Sequence, residues 1–187
     1  MPITTDLSSF NNSWYKPGGS ILTRLLWYIT NILFFTNRFN PFIGLKVQIL
    51  RMFGAQVGQG VIIKPAVNIK FPWRLKIGHH AWIGEGVWID NLADVEIGDH
   101  VCISQGAMLL TGNHNYKKSS FDLMVAPIVL ERGTWIGAQS VVCPGVCCES
   151  HSILTAGSVA VKRLEAYGIY QGNPAVKIRE RKAEAVS

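Results

Sequence analysis

His114 is the residue whose type and setting most directly suggest chemistry. It lies between the polar residues Asn113 and Asn115, and Tyr116 follows one place further on. An imidazole titrates near pH 6.5, so a neutral ring can accept a proton from an alcohol at physiological pH. The setting therefore predicts that His114 acts as a general base.

The other four histidines give a weaker signal. His79, His80, His100 and His151 occupy the third or fourth place of a six-residue repeat that is described below. These places fall at outward corners of the predicted fold. We expect the four side chains to be solvated surface groups.

Other common catalytic signatures are missing from the sequence. It contains no GxSxG elbow, no Walker loop and no GxGxxG after a predicted strand, which argues against serine hydrolysis, nucleotide hydrolysis and dinucleotide binding. A three-histidine zinc site needs a close pair of ligands, and the next histidine after His114 is His151. We expect no metal.

A six-residue repeat predicts the scaffold that positions His114. Val, Ile or Leu fills thirteen of its fifteen key positions, although these types make up only 50 of 187 residues. Such a period indicates a coil of short strands, with one repeat for each flat side and three repeats for each triangular turn. The fifteen positions are Val57, Ile63, Ile69, Ile77, Ile83, Ile89, Ile97, Ile103, Leu109, Leu130, Ile136, Val142, Cys148, Leu154 and Ala160.

The remaining places of each repeat agree with this fold. Four residues after the aliphatic place, twelve of fifteen positions carry Ser, Thr, Ala or Val, which we expect to lie inside the corners. Glycine often follows the aliphatic residue directly, and we expect it to relax the backbone torsions of the corner. These glycines are Gly58, Gly78, Gly84, Gly98 and Gly137.

The repeat divides the chain into three parts. Residues 57–165 form the predicted stack of about five coils, from which residues 113–127 leave as an extruded loop that carries His114. Residues 1–56 contain two apolar helical segments that we expect to cover the stack, with Asn40 and Pro41 as cap and first turn of the second. We predict that residues 166–187 form a basic helix or tail.

Composition narrows the partners without choosing one. The formal net charge is +6, which suits a phosphorylated ligand, nucleic acid or an anionic membrane face. We expect no nucleic acid, because no binding module is recognisable. The first ten residues lack a secretory signal, so we expect a cytoplasmic protein. The apolar run from Ile21 to Phe35 is short for spanning a bilayer, and peripheral contact with the inner membrane face stays open.

Several motifs together resemble the hexapeptide-repeat acyltransferases, and within them the colanic-acid and exopolysaccharide O-acetyltransferase branch. The motifs are IGHHAW, IGEGVW, IGDHVC, IGAQSV, the loop root TGNHNY, TWIGAQSVVCPGV and the closing GNPAVKIRER. The resemblance implies an all-β, left-handed parallel β-helix and a homotrimer with active sites between subunits. It also implies acetyl-CoA as donor, a sugar or glycan hydroxyl as acceptor and His114 as the base.

The same resemblance assigns further roles. Trp135 matches a tryptophan beside the catalytic histidine. Asn91 matches a place that faces the acceptor sugar, and its neighbour Asp90 is a candidate for the same task. The sequence departs from the family at Gly84, where several sugar acetyltransferases carry an Asn, so Asn91, Tyr116 or the loop becomes a candidate for placing the acceptor. The remaining positions match places along the pantetheine arm and near the CoA phosphates: Ala138, Ala156, Gly157, Lys162 and Arg179.

Three functions stay open at this point. The first is an acetyl-CoA-dependent sugar O-acetyltransferase with His114 as general base. The second is a trimeric β-helix scaffold without enzymatic activity, because the repeat alone specifies only the fold. The third is a metal enzyme of the carbonic-anhydrase kind on the same scaffold.

Overall fold

The computed structural model describes residues 4–39 and 42–182. Two helices precede the repeats: α1 spans Ile21–Thr30, and α2 spans Ile43–Met52. The Ser20 hydroxyl caps α1 by accepting from the Thr23 N–H at 3.0 Å, and a π-helical turn at Asn31–Phe35 continues the helix. Short 3₁₀ turns lie at Leu7–Ser9 and Pro72–Arg74. The predicted cap at Asn40 and Pro41 lies outside the described residues.

Strands of two or three residues build the coils, three strands to a coil. The first three coils contain β1 (Gln56–Val57), β2 (Ile62–Ile63), β3 (Asn68–Ile69), β4 (Leu75–Ile77), β5 (Trp82–Ile83), β6 (Trp88–Asp90), β7 (Val95–Ile97), β8 (Cys102–Ile103) and β9 (Met108–Leu110). A hairpin follows, with β10 (Gly112–His114) and β11 (Leu123–Val125). The last two coils contain β12 (Ile128–Leu130), β13 (Trp135–Ile136), β14 (Val141–Val142), β15 (Cys147–Cys148), β16 (Ile153–Leu154) and β17 (Val159–Ala160).

Stacking of the coils produces three parallel sheets, one on each side of the prism. Sheet A has the order β1-β4-β7-β12-β15, sheet B contains β2-β5-β8-β13-β16, and sheet C contains β3-β6-β9-β14-β17. Backbone hydrogen bonds join each coil to the next, as from Gly84 N–H to the Ile103 carbonyl at 2.7 Å. The chain is a left-handed parallel β-helix of five coils, which confirms the predicted fold class.

The repeat positions form the core as predicted. Fourteen of the fifteen key residues are buried, and only Val57 in the first strand is partly exposed. The small corner residues are buried too. Ser140 Oγ donates to the Thr155 carbonyl at 2.8 Å and Thr134 Oγ1 to the Glu149 carbonyl at 3.2 Å, whereas Ser152 Oγ has no hydrogen-bond partner among the described residues. A buried hydroxyl without such a bond would destabilise the stack.

The corner glycines serve a different purpose from the one predicted. Gly78 and Gly84 do not have a positive φ; instead, a Cβ at Gly84 would lie 2.6 Å from the Gln105 nitrogen of the next coil. These glycines are therefore required for close approach between coils. The left-handed torsions occur two residues later, for example at Gly86 (φ 69°) and at His100 (φ 56°).

The C-terminal segment is a β-hairpin, so the prediction of a basic helix was wrong for the described residues. Strand β18 (Gly168–Gly172) adds a sixth strand to sheet B beside β16, and β19 (Ala175–Glu180) runs antiparallel to it. Asn173 and Pro174, expected to begin a helix, form the turn between them. Apolar and charged residues alternate from Val176 to Arg179, which favours a strand, and β18 satisfies the open backbone edge of β16.

Helix α2 covers the first coil. Leu50 is fully buried, and the ammonium of Lys46, also fully buried, donates to the Lys64 carbonyl at 3.0 Å. Burial lowers the pKa of Lys46, because the charged form loses its hydration. Across the described ranges, no helix is both long enough and apolar enough to cross a bilayer.

The depressed pKa of Lys46 predicts a pH dependence of stability. Between that pKa and about 10.4, the ordinary lysine value, the unfolded chain binds more protons than the folded one, so the free energy of unfolding rises with pH. In Lys46→Met this rise becomes smaller when urea unfolding is followed from pH 7 to 10. The exposed Lys117→Met serves as control, and an unchanged pH slope in Lys46→Met contradicts the prediction.

Candidate active site

His114 ends β10, in the hairpin that leaves the stack between sheets C and A. Its Nδ1 lies 2.9 Å from the carbonyl oxygen of Phe121 on the opposite side of the hairpin. A carbonyl oxygen can only accept, so in this contact Nδ1 carries a proton, and in the neutral ring Nε2 is then the nitrogen with the free lone pair. The hairpin therefore holds the imidazole in the tautomer that a general base requires.

Two phenyl rings restrict the orientation of this imidazole. The ring of Phe121 stacks on it at a centroid distance of 4.5 Å and an angle of 8°, and Phe10 of the N-terminal arm lies at 5.8 Å and 56°. Phe121 has a φ of 50°, a conformation that a bulky residue rarely adopts. The local backbone is thus arranged so that this one residue supplies both the carbonyl and the stacking ring.

The hairpin turn is itself held by polar contacts. Asn115 N–H donates to the Asp122 carbonyl at 2.8 Å, and Lys118 Nζ lies 2.9 Å from the Asp122 carboxylate. Hydrogen bonds from Ser120, which has the larger effect, and from Lys118 lower the pKa of Asp122, so its carboxylate stays charged at neutral pH. Tyr116 lies in this turn and is exposed, and no contact of its ring with His114 is present.

Trp135 projects from sheet B on β13. Its side chain is 47% exposed, and its Nε1–H donates to Ser104 Oγ at 2.9 Å, which holds the indole against the outer face of the sheet. Within one chain Trp135 and His114 lie on different parts of the prism, since β13 belongs to sheet B and the hairpin leaves between sheets C and A. A single chain does not bring these two residues together.

Three of the predicted donor-site residues share one corner. Ala138 follows β13, and Ala156 and Gly157 follow β16 in the next coil, with Gly157 N–H donating to the Ala138 carbonyl at 2.8 Å. Ala156 and Gly157 are exposed, and a Cβ at Gly157 would meet nothing within 4 Å. The corner between sheets B and C therefore offers an open, narrow backbone surface for an extended ligand.

The two predicted phosphate-binding residues lie apart in one chain. Lys162 is exposed at the corner that follows sheet C. Arg179 is exposed on β19, beside sheet B, where Arg181 and Lys182 add further positive charge to the same groove. Of these two residues, only Arg179 lies beside sheet B, which carries Trp135.

Of the two residues predicted to face the acceptor sugar, Asn91 cannot do so and Asp90 can. Asn91 is fully buried, and its amide accepts from Phe71 N–H at 2.9 Å and donates to the Phe71 carbonyl at 2.6 Å, so it cannot face a sugar. It bridges two coils instead. Asp90 is partly exposed and forms an ion pair with Lys70 at 2.8 Å. Gly84 lies at a coil corner, where a side chain would strike the next coil.

Metal and thiol chemistry find little support in the described residues. Nowhere in residues 4–39 and 42–182 do three His, Cys, Asp or Glu side chains converge to hold a metal ion. Burial raises the pKa of the thiols of Cys102, Cys143, Cys147 and Cys148, which disfavours the nucleophilic thiolate.

Sequence reasoning missed the residues that orient His114. Phe121 acts through its backbone carbonyl, which any residue possesses, and Phe10 reaches the site from more than a hundred positions away. Tyr15, also in the arm, donates to the Leu92 carbonyl at 2.8 Å, and burial raises its pKa so that it remains protonated. The isolated aromatic residues in an otherwise polar arm were the only available signal.

Comparison with known proteins finds relatives that are named as acetyltransferases. WcaF of Escherichia coli (strain K12), assigned as a colanic acid biosynthesis acetyltransferase, is 35% identical over 176 residues, covering 94% of this chain and 97% of WcaF. The galactoside O-acetyltransferase of Escherichia coli (strain K12) is 30% identical over 138 residues, covering 72% of this chain and 68% of the relative. No family model matches the chain.

Solved structures share the fold. The hexapeptide-repeat acetyltransferase VCA0836 of Vibrio cholerae superimposes with a TM-score of 0.78 at 24% identity, covering 87% of this chain and 92% of that protein. The same protein in complex with acetyl coenzyme A gives a TM-score of 0.77 at 23% identity, with 87% and 88% covered. With the full-length match to WcaF, these findings show that the chain belongs to the hexapeptide-repeat acyltransferases.

Proposed function

We propose that this protein is an acetyl-CoA-dependent O-acetyltransferase that acetylates a hydroxyl of a sugar or an exopolysaccharide precursor. The observation that carries the proposal is the contact between His114 Nδ1 and the Phe121 carbonyl, which leaves Nε2 free to accept a proton. The names of the relatives support a sugar acceptor, and the complex of VCA0836 supports acetyl-CoA as donor.

The reaction needs no covalent enzyme intermediate. Nε2 of His114 takes the proton of the acceptor hydroxyl while its oxygen attacks the thioester carbon. The tetrahedral intermediate then collapses, the C–S bond breaks, and the imidazolium returns the proton to the CoA sulfur. The enzyme contributes the positioning of two substrates in one cleft and the base.

The donor is placed along the corner between sheets B and C. The exposed backbone at Ala156 and Gly157, with Ala138 beside it, accommodates the pantetheine arm. Arg179 and Lys162 attract the CoA phosphates, and each of them comes from a different subunit because one chain keeps them apart. Trp135 lies beside the reacting groups, opposite the His114 of a neighbouring chain.

The outward faces of sheets A and B differ in polarity, and this difference supports a homotrimer. The outward residues of sheet A include the ion pair Lys76–Glu96 at 2.8 Å, which suits contact with water. Sheet B instead presents an apolar column of Ile62, Trp82, Cys102, Trp135 and Ile153. Such a column favours burial against another chain, and a trimer brings sheet B to the His114 hairpin of its neighbour.

An acceptor that is held at a membrane would require the enzyme to work at that membrane. We place the enzyme in the cytoplasm, with the N-terminal helix against the inner membrane face. In support, α1 and the following turn expose a continuous apolar face of Leu22, Leu25, Leu26, Ile29 and Leu33. A precursor held at the membrane would then lie near the active site.

The His114 assignment predicts a large loss of activity in His114→Ala. Turnover measured by CoA thiol release, with acetyl-CoA and a panel of sugars and nucleotide sugars, falls at least a hundredfold, because base catalysis contributes about 10²–10⁴-fold. The exposed His100→Ala is the matched control. Undiminished turnover in His114→Ala contradicts the mechanism, and failure of calorimetry to detect CoA binding by the wild type favours the non-enzymatic scaffold.

The trimer assignment predicts that a charge on sheet B dissociates the assembly. In sedimentation at micromolar protein, Trp82→Glu shifts from trimer toward monomer, since a carboxylate would be buried without a partner. Trp14→Glu replaces a tryptophan of similar exposure in the N-terminal arm and leaves the trimer intact. A fully trimeric Trp82→Glu argues against this interface.

Membrane contact through α1 predicts binding to vesicles. The wild type floats with vesicles that contain anionic phospholipid, and the triple substitution Leu22→Ser, Leu25→Ser and Ile29→Ser reduces the bound fraction at least fivefold by removing buried apolar area. The double substitution Val176→Ser and Ile178→Ser, on the exposed C-terminal hairpin, serves as control. Equal flotation of wild type and triple variant refutes the contact.

A further inference from the structure

A cleft of about 330 Å³ lies between α1 and the first two coils of sheet C. It is distinct from the donor corner between sheets B and C and from the His114 hairpin. Apolar and aromatic surface dominates its walls, with a few polar groups among them, which is the usual make-up of a site for a small organic ligand. The lining side chains on which the argument for a ligand depends are Arg24, Tyr28, Asn31, Lys70, Trp88 and Asp90.

Asn31 supplies an acceptor that nothing in the described chain satisfies. Its side chain is only 9% exposed, and its Nδ2 donates to Asn68 Oδ1 at 2.7 Å, which fixes the orientation of the amide. Its Oδ1 has no hydrogen-bond partner. A buried acceptor left unpaired costs stability, so this atom indicates a ligand that brings a hydroxyl or N–H donor. Asn31 also begins the π-helical turn, a rare conformation that is common at functional sites.

Aromatic rings form two sides of the cleft. Tyr28 is 64% exposed and Trp88 is 41% exposed, although both would gain from burial. Trp27 forms the floor, and its Nε1–H donates to the Ile69 carbonyl at 2.9 Å, which attaches α1 to sheet C. Exposed rings on a fixed floor suit a ligand with a flat apolar face, such as the C–H face of a pyranose.

Charged groups complete the lining. Lys70 Nζ lies 2.8 Å from Asp90 Oδ1, so these two side chains form an ion pair in the cleft wall. Arg24 takes part in none of the ion pairs between described residues. Amide, carboxylate and guanidinium groups beside aromatic rings match the alternating hydroxyls and apolar faces of a sugar.

We infer that this cleft binds a pyranose unit of a glycan acceptor, and that this unit is not the one acetylated. The inference rests on the proposed function. Asp90 pairs with Leu110 on the neighbouring strand, and His114 follows four residues later, so the cleft lies under about 20 Å from the His114 backbone. A short oligosaccharide spans that distance. The protein therefore recognises an oligosaccharide through a site remote from the reacting hydroxyl.

Binding without turnover tests the inference. The His114→Ala protein, labelled with a fluorophore, is applied to an array of bacterial and plant oligosaccharides that also carries the constituent monosaccharides. It binds at least one oligosaccharide, and adding Trp88→Ala or Tyr28→Ala weakens that binding at least tenfold. Tyr167→Ala, which removes an exposed tyrosine at the opposite end of the stack, is the matched control and leaves binding unchanged.

The outcomes separate this inference from the proposed function. Absence of binding to every glycan, or equal binding by the Trp88→Ala and Tyr28→Ala variants, overturns the cleft assignment. Thiol release by the wild type with a bound glycan is measured in parallel. Glycan binding without thiol release supports the cleft assignment and contradicts the acetyltransferase proposal. Thiol release that Trp88→Ala does not change supports the acetyltransferase proposal and contradicts the cleft assignment.

Discussion

Backbone pairing between successive coils is the constraint on which the molecule depends. Parallel hydrogen bonds fix the coil spacing near 4.8 Å, and every side chain inside or between coils must fit that distance. The aliphatic repeat fills the interior at this spacing, the small corner residues allow the chain to turn, and glycines such as Gly84 are required where one coil touches the next. The functional groups inherit this rigidity, because each is fixed relative to a strand of the stack.

The hairpin that carries His114 leaves this rigid stack without losing order. Antiparallel pairing of β10 with β11 sets Leu123 opposite His114 and brings the Phe121 carbonyl within 2.9 Å of Nδ1, where it selects the tautomer of the imidazole. The indole of Trp135 and the open corner at Gly157 lie elsewhere on the prism. On the proposed roles of these residues, one chain holds parts of two different sites, and this division is the physical reason to propose an assembly in which neighbours complete each other.

The sequence predicted those parts of the fold that depend on local repetition. Ile83 and Ile103 are recognisable as core because they recur at six-residue spacing, and His114 stands out because the repeat fails around it. The C-terminal helix was wrong because Asn173–Pro174 suits a helix start as well as a hairpin turn, and only the open edge of β16 decides between them. Asn91 was misassigned because polarity in a sequence does not reveal that both ends of an amide are already bonded, in this case to Phe71.

The C-terminal hairpin also occupies an open strand edge at one end of the stack. A parallel β-helix presents an unpaired strand edge at each end, and such edges template end-to-end growth into fibres. At one end α2 covers the first coil, and at the other β18 occupies the edge of β16 while β19 turns back across it with Lys177 and Arg179 exposed. The register shift between Ile169 and Tyr170 further distorts the outer strand. The terminal segment therefore covers the edge of β16, from which end-to-end pairing with a second copy would otherwise begin.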